Sequence, residues 1–310
     1  MSEPTVQQLR YAVALADARH FGRAAEACFV SQPALSAQVR ELETRLRVQL
    51  FERTTRGVLV TPAGAAIIER ARRILREVDD LREAAAGAGG ELTGPLRLGV
   101  IPTIAPYVLP GAVRLIAERY PELELYLRED RTHALVAQLQ GGELDLLLLA
   151  LPLDRAGVEE LPLYEEPFLL AVPDEHPLAR TRRCDVPALA NERLVLLEEG
   201  HCLRDQALAV CDLAGNGGHA EVQGTSLPTI VQMVGAGLGV TLLPASTIAR
   251  DVHPGERVAI REFRSPVPTR TVGLAWRTSS ARSSAYRQLG ELVADAGRAS
   301  MKHPRDAFRR

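Results

Sequence analysis

The chain is poor in several things, and each scarcity excludes something. Its 310 residues hold four cysteines, one tryptophan and a single lysine, Lys302, and only 4% are aromatic. No apolar run approaches the roughly 18 residues a membrane-spanning helix needs. The longest, Leu144–Leu151, is broken by Asp145 and suits a buried strand. The N-terminus, MSEPTVQQLR, lacks the positive-then-apolar pattern of a secretion signal. A cytoplasmic location with no membrane partner is therefore expected. Cytoplasmic thiols are kept reduced, so Cys28, Cys184, Cys202 and Cys211 should be free, and any disulfide among them transient and functional. An excess of positive charge is missing too. The net charge of -2 and pI near 6.4 do not suggest a nucleic-acid binder. Residues 1–60 carry eight arginines against six carboxylates, a slight excess that permits a DNA-binding end without demonstrating one. The near-absence of lysine reads as coding bias.

What is present suits a soluble globular protein: 46% hydrophobic and 25% charged residues, with length for two or three domains. Apolar residues at helical spacing (Leu9, Val13, Leu15, Ala16, then Ala24, Ala25 and Cys28) are interrupted by His20-Phe21-Gly22, which predicts two short helices. In VSQPALSAQVRELETRL, Ser31 is a good N-cap, Pro33 fits the first turn, and Ala34, Leu35, Val39, Leu42 and Leu46 form one apolar face. Two helices and a third with a polar outer face make a helix-turn-helix. Two β-type runs, Val48–Phe51 and Gly57–Val60, then predict a hairpin that reads as a wing. Thr61-Pro62 opens a helix that can run to about Ala86. Its seam of Ile67, Ala71, Ile74, Val78, Leu81 and Ala85 is read as a dimerisation surface.

A Gly-rich linker, AGAGGELTGP, ends this part. Strands are predicted at Leu96–Ile101, Leu123–Leu127, Leu144–Ala150, Phe168–Val172, Leu194–Leu197, Thr241–Leu243 and Val272–Trp276. Helices at Tyr107–Arg119, Thr132–Gln140, His201–Ala214, Ser226–Gly235 and Ser283–Gly297 alternate with them, which implies parallel sheet with helices on its faces. The expected fold is an N-terminal winged helix-turn-helix with a long linker helix, followed by an α/β regulatory domain of two lobes. The boundaries are 1–61 for the winged unit, 62–86 for the linker helix and 87–94 for a flexible linker. Lobe I takes 95–166 and 267–300, lobe II takes 167–266, and 301–310 is a polar tail.

The segment EEGHCLRDQALAVCDLAG places Cys202 and Cys211 nine positions apart in a predicted helix. Three readings are open: two buried small hydrophobes, a metal site with His201 and His219, or a thiol switch. The spacing is unlike the paired knuckles of zinc sites, and no metal or cofactor is expected. His201, Arg204 and a helix N-terminus near Gly200-His201 are features that stabilise a thiolate, the nucleophilic form of cysteine. Thr103 lies just past a predicted strand, where its hydroxyl could orient a small oxygen ligand. Cys28 falls on an apolar helix face, and Cys184 lies in the Arg-rich loop RTRRCDVP.

HFGRAAEACFVSQPALSAQVRELETRLRVQLFERTTRGVLVTPAG, His20–Gly64, resembles the DNA-binding signature of LysR-type transcriptional regulators over its whole length. That resemblance implies a winged helix-turn-helix, a dimerising linker helix and a regulatory domain shaped like a periplasmic binding protein. It makes double-stranded promoter DNA and a second copy of the chain the expected partners, with a homotetramer as the assembly and RNA polymerase as a further contact. The base-reading candidates are Gln32, Pro33, Ser36 and Arg40, with Arg53 of the wing as a phosphate contact. GVIPTIAPYVLP, EEGHCLRDQALAVC and GTSLPTIVQMVGAGLGVTLLPA are similar to the peroxide-sensing members of the family. This implies that hydrogen peroxide oxidises Cys202, that Cys211 is its disulfide partner, and that Thr103, Thr132, His201, Arg204 and Asp205 line the reactive pocket. Two other readings stand beside it: a LysR-type regulator of a small organic effector with inert cysteines, and a thiol peroxidase. The DNA-binding end argues against an enzyme.

Overall fold

A computed structural model describes residues 3–54, 57–86, 92–213, 220–253 and 255–302. Residues 87–91 of the expected linker, His219 and residues 303–310 of the expected tail lie outside the described residues. The chain divides into two compact units, Met1–Gly89 and Gly90–Arg310.

The first unit opens with α1 (Val6–Ala18), α2 (Phe21–Ala27) and α3 (Gln32–Leu46). Local chemistry sets each start. Thr5 and Gln8 form a reciprocal capping box on α1, with bonds of 3.1 and 3.2 Å. The break at His20 is itself a cap: its Nδ1 accepts from the Gly22 and Arg23 amides at 3.1 and 3.4 Å. Ser31 caps α3 by accepting from the Ala34 amide. Leu9, Ala12, Leu15, Ala24, Leu35, Val39 and Leu42 are buried together.

Between α2 and α3, Phe29 holds φ +55° with a side chain 95% exposed. A left-handed backbone disfavours a residue with a Cβ, and the ring gains no burial in return. We expect Phe29→Gly to raise the stability of this unit by about 1 kcal/mol, measured by urea unfolding. A loss of stability would mean that the ring is packed in solution.

A two-stranded antiparallel hairpin follows, β1 (Phe51–Thr54) and β2 (Gly57–Val60). The first strand begins three residues later than predicted. The Glu43 carboxylate of α3 accepts from the Leu50 and Phe51 amides at 2.7 and 3.0 Å, tying the preceding segment to the helix. Arg53 lies within β1, but its side chain is outside the described residues. Thr61 Oγ1 then accepts from the Gly64 amide at 2.8 Å and opens α4 (Pro62–Ala86). The seam read along α4 divides. Ala71, with Ile68 and Leu75, is buried in the unit's own core. Ile74 and Leu81 are 48% and 70% exposed. The N-terminal part of that periodicity therefore serves intrachain packing.

The second unit contains β3 (Gly94–Val100), α5 (Ala105–Arg119), β4 (Leu123–Glu129), α6 (Thr132–Gly141), β5 (Leu146–Leu151), β6 (Val158–Pro173), β7 (Arg183–Cys184), β8 (Leu194–Leu197), α7 (Cys202–Leu213), β9 (Ala220–Gly224), α8 (Leu227–Gly235), β10 (Thr241–Pro244), α9 (Ile248–Asp251), β11 (Val258–Phe263), β12 (Thr269–Arg277) and α10 (Ser283–Ser300). The main sheet runs β4-β3-β5-β12-β6-β11-β7, with β10 also on β6; β8 and β9 pair apart. The sheet is mixed, not parallel as expected. β3 is parallel to β4 and β5, but β12 is antiparallel to β5 and β6, and β10 and β11 are antiparallel to β6. The cause is β6, whose 16 residues cross the whole unit. Its first half, VEELPLYEEP, is too polar to announce a strand, so only its apolar end was legible.

Two cores flank that crossing. One gathers Leu98, Val100, Leu135, Leu147, Tyr164, Trp276 and Leu289. The other gathers Phe168, Leu170, Val195, Leu203, Cys211, Ile230 and Leu243. Among the described residues, no helix is long and apolar enough to cross a membrane.

Candidate functional site

Three elements bring their N-terminal ends or flanks to one spot. Thr103 precedes α5, Thr132 is the first residue of α6, and Cys202 is the first residue of α7. A narrow, closed-up concavity is lined by Ile101, Pro102, Thr103, Arg131, Thr132, His201 and Cys202. Gly200, at φ +90°, makes the turn into α7. A Cβ there would lie 3.3 Å from the Arg131 side chain, which spans the turn: Nη1 donates to the Glu199 carbonyl at 2.9 Å and Nη2 to Glu198 Oε2 at 3.2 Å. Arg131 thus fastens the loop that carries Cys202 to the start of α6.

The buried polar group beneath the site was not legible in the sequence. Arg270 of β12 is fully buried and paired with Glu166 of β6, its direct cross-strand neighbour. Its Nε and Nη2 donate to Glu166 Oε2 at 2.9 and 2.7 Å. Its Nη1 donates to Thr103 Oγ1, and its Nη2 to the Thr103 carbonyl, both at 3.0 Å. Because Oγ1 accepts from Arg270, the Thr103 hydroxyl hydrogen is left to donate elsewhere. The Thr132 hydroxyl is buried without a full hydrogen bond and is directed at the Cys202 sulfur, a weak contact that favours the thiolate.

Burial dominates the titration of Cys202 and pushes its thiol up. Arg270 and then Thr132 oppose that shift, and Asp205 adds to it. This corrects the expectation of a thiolate flanked by His201 and Arg204. His201 is buried, and burial followed by repulsion from Arg131 lowers its pKa, so at neutral pH it is a neutral imidazole. Arg204 donates to the Leu197 carbonyl at 3.0 Å, an intrahelix-to-strand tie that takes its charge elsewhere. Neither it nor the exposed Asp205 lines the concavity. The cation that matters comes from a strand 68 positions away.

Cys202 and Cys211 are both free thiols, and α7 is continuous from one to the other. Nine residues of helix separate their Cα atoms by roughly 13–14 Å along the axis and turn them to opposite faces. Cys202 packs against the first core and Cys211 is fully buried in the second. Burial raises the Cys211 thiol to about 11, and the Cys184 thiol, beneath the Glu262 carbonyl, to about 11 as well. Among the described residues no three His, Cys, Asp or Glu side chains converge as metal ligands.

In the first unit, Gln32, Pro33 and Arg40 are exposed on α3 and Ser36 is half-buried. They share the N-terminal stretch of the helix.

A helix-turn-helix unit, joined through a long helix to a two-core α/β unit, defines a class of bacterial regulator. Residues 6–65 match the bacterial regulatory helix-turn-helix of the lysR family, and residues 89–298 match the LysR substrate binding domain. The chain belongs to the LysR family. It is 46% identical over 288 residues to the DNA-binding transcriptional dual regulator OxyR of Escherichia coli K12, covering 93% of this chain and 94% of that one. It is 47% identical over 297 residues to a probable hydrogen peroxide-inducible genes activator of Streptomyces viridosporus, covering 96% and 95%. Among solved structures it is similar to a full-length OxyR variant of Pseudomonas aeruginosa, with TM-score 0.79, 40% identity and coverage of 94% and 95%. It is also similar to a cysteine-to-serine OxyR variant of Corynebacterium glutamicum with hydrogen peroxide bound, with TM-score 0.69, 38% identity and coverage of 97% and 94%.

Proposed function

We propose that this chain is a peroxide-responsive, DNA-binding transcriptional regulator whose sensor is Cys202. The carrying observation is the placement of Cys202 at a helix N-terminus beside Thr103, Thr132 and the Arg270 guanidinium, in one tight recess. The recess is closed up and far smaller than the roughly 300–1,000 Å³ pockets that take organic ligands. The regulators and peroxide-bound structure that the chain is similar to support the same reading.

The chemistry follows from the site. The Cys202 thiolate attacks one peroxide oxygen; an S–O bond forms, the O–O bond breaks, and the leaving hydroxide takes a proton to become water. The Thr103 hydroxyl donates to the peroxide, and Arg270 stabilises the charge that moves from sulfur to oxygen. The Cys211 thiolate then attacks the Cys202 sulfenic acid; an S–S bond forms and a second water leaves. One peroxide is reduced and two thiols are oxidised. Because the helix holds the sulfurs apart, the second step requires α7 to unwind, and that repacking carries the signal to the assembly on DNA.

On the DNA side, Gln32, Pro33, Ser36 and Arg40 of α3 read bases in the major groove, and the β1–β2 hairpin with Arg53 acts as the wing. Ile74 and Leu81, exposed on α4, form the dimer seam, with a homotetramer as the working assembly and RNA polymerase as a partner. The second unit works as two lobes in the manner of a periplasmic binding protein, with 95–166 and 267–300 in one and 167–266 in the other.

Mass spectrometry of the peroxide-treated full-length protein tests this. A Cys202–Cys211 peptide linkage is expected at a few equivalents of peroxide. Its absence, with Cys202 stopping at sulfenic acid or unreacted, would remove the switch and leave the DNA-binding reading standing.

A further inference from the structure

The Arg270 guanidinium does not stand alone beneath Cys202. Glu166 is 1% exposed and spends both oxygens: Oε2 receives the Nε and Nη2 of Arg270, and Oε1 accepts from the Ser246 amide at 2.8 Å. A buried chain therefore runs from Ser246 through Glu166 and Arg270 to Thr103. Glu166 lies on β6 between Tyr164 of one core and Phe168 of the other, where the strand crosses. The guanidinium fork meets Thr103 at both its hydroxyl and its carbonyl because the opposite edge of the fork is fixed by Glu166.

Glu166 also cancels charge. A lone buried guanidinium beneath the sulfur would hold Cys202 as a thiolate at rest, and a sensor in that state would react with any stray oxidant. Paired with Glu166, Arg270 presents the sulfur with the near end of a neutral pair. The other charged or titratable groups around the sulfur are Asp205 on its own helix, neutral His201, and Arg131, whose charge is answered by Glu198. Asp205 opposes Arg270 at the sulfur, but Glu166 is the carboxylate bonded to the guanidinium itself.

We propose that Glu166 is a positioning residue that sets the peroxide threshold of Cys202 by fixing Arg270 against Thr103 and neutralising its charge. This rests on the reading of Cys202 as the peroxide-reactive sulfur.

The test is a pH profile in the full-length protein. Cys202 alkylation by iodoacetamide is followed by peptide mass spectrometry, beside the second-order rate with hydrogen peroxide. Glu166→Gln keeps an acceptor for the Ser246 amide and removes the charge. It should move the alkylation midpoint down by about one unit and raise the peroxide rate at pH 7 about tenfold, in step with the thiolate fraction. Glu166→Asp keeps the charge but is one methylene short of spanning Ser246 and Arg270, so the midpoint should stay within about half a unit of wild type while the peroxide rate falls. A midpoint that Glu166→Gln leaves in place, or moves upward, overturns the proposal. If Glu166→Gln does not fold, the double variant Glu166→Gln/Arg270→Gln removes both charges together. It should leave the alkylation midpoint within about half a unit of the wild-type value, because the pair it removes is already neutral, and slow the peroxide reaction, because Thr103 is no longer held. A midpoint raised by a full unit, or an unchanged peroxide rate, overturns the proposal equally. If Cys202 of the unsubstituted protein fails to react with peroxide, the functional reading falls and this proposal with it. If it reacts and only the Glu166 effects are missing, this proposal falls alone.

Discussion

Cys202→Ser should abolish the peroxide response while leaving DNA binding and stability intact. The substitution removes one property, a sulfur that can ionise and attack oxygen. A serine hydroxyl stays protonated at neutral pH and is a poor nucleophile without an adjacent base. The neighbouring imidazole, His201, is the N-terminal neighbour of α7 and is held neutral by burial and Arg131, but serine still offers no oxidisable atom. Serine is nearly isosteric and suits the first turn of a helix, so a stability change within about 0.5 kcal/mol is expected. The remaining thiols do not substitute. Cys184 and Cys211 are buried in the second core, and neither has the Arg270 guanidinium and Thr132 hydroxyl that favour the Cys202 thiolate. Cys28 is half-buried and its thiol is also raised by burial. Stopped-flow peroxide consumption should lose its fast phase, and a promoter fragment bound by the variant should show the same footprint with and without peroxide. A variant that still changes its footprint on peroxide would move the sensor elsewhere in the chain.

The parts of this architecture that were legible in the sequence are those whose cause is local. The Ser31 cap, Pro33, and the Thr61-Pro62 start work within one helical turn, and each is where the spacing placed it. The continuity of α7 between Cys202 and Cys211 followed from its apolar periodicity in the same way. What was illegible depends on partners far along the chain. Arg270 and Glu166 are 104 positions apart, in strands whose register brings them face to face, and nothing near either residue announces the pair. Arg204 stood beside Cys202 in sequence and was given the electrostatic role, yet its position on the helix turns it to the Leu197 carbonyl. The seam of α4 shows the same limit from the packing side. A period of three to four residues marks an apolar face, but only the folded unit shows that Ala71 is consumed by its own core while Ile74 and Leu81 are not.

Oxidation should release α7 to solvent exchange. In the reduced helix the sulfurs point to different cores, roughly 13–14 Å apart along the axis, whereas a disulfide needs Cα atoms within about 7 Å. The bond therefore cannot form on the intact helix. Closing it extracts Cys211 from full burial and strips Leu203, Ala207 and Val210 of their packing. Each larger apolar side chain so exposed costs about 1.5–3 kcal/mol, an amount the covalent bond must offset. On the proposed mechanism that opposition makes a switch: packing would hold the reduced helix, the disulfide would hold the unwound form, and each would exclude the other. Hydrogen exchange followed by mass spectrometry reads this directly. Peptides covering residues 206–213 should be protected in the reduced protein and should exchange at least a hundredfold faster after peroxide, while β8 and α8 keep their protection. Dithiothreitol should restore the slow rate. Cys211→Ala should stop at the sulfenic acid with α7 still protected, because the oxygen on Cys202 by itself places no strain on the helix. A Cys202–Cys211 disulfide found together with fully protected α7 amides would overturn the unwinding mechanism, since the two sulfurs would then have met without the helix giving way.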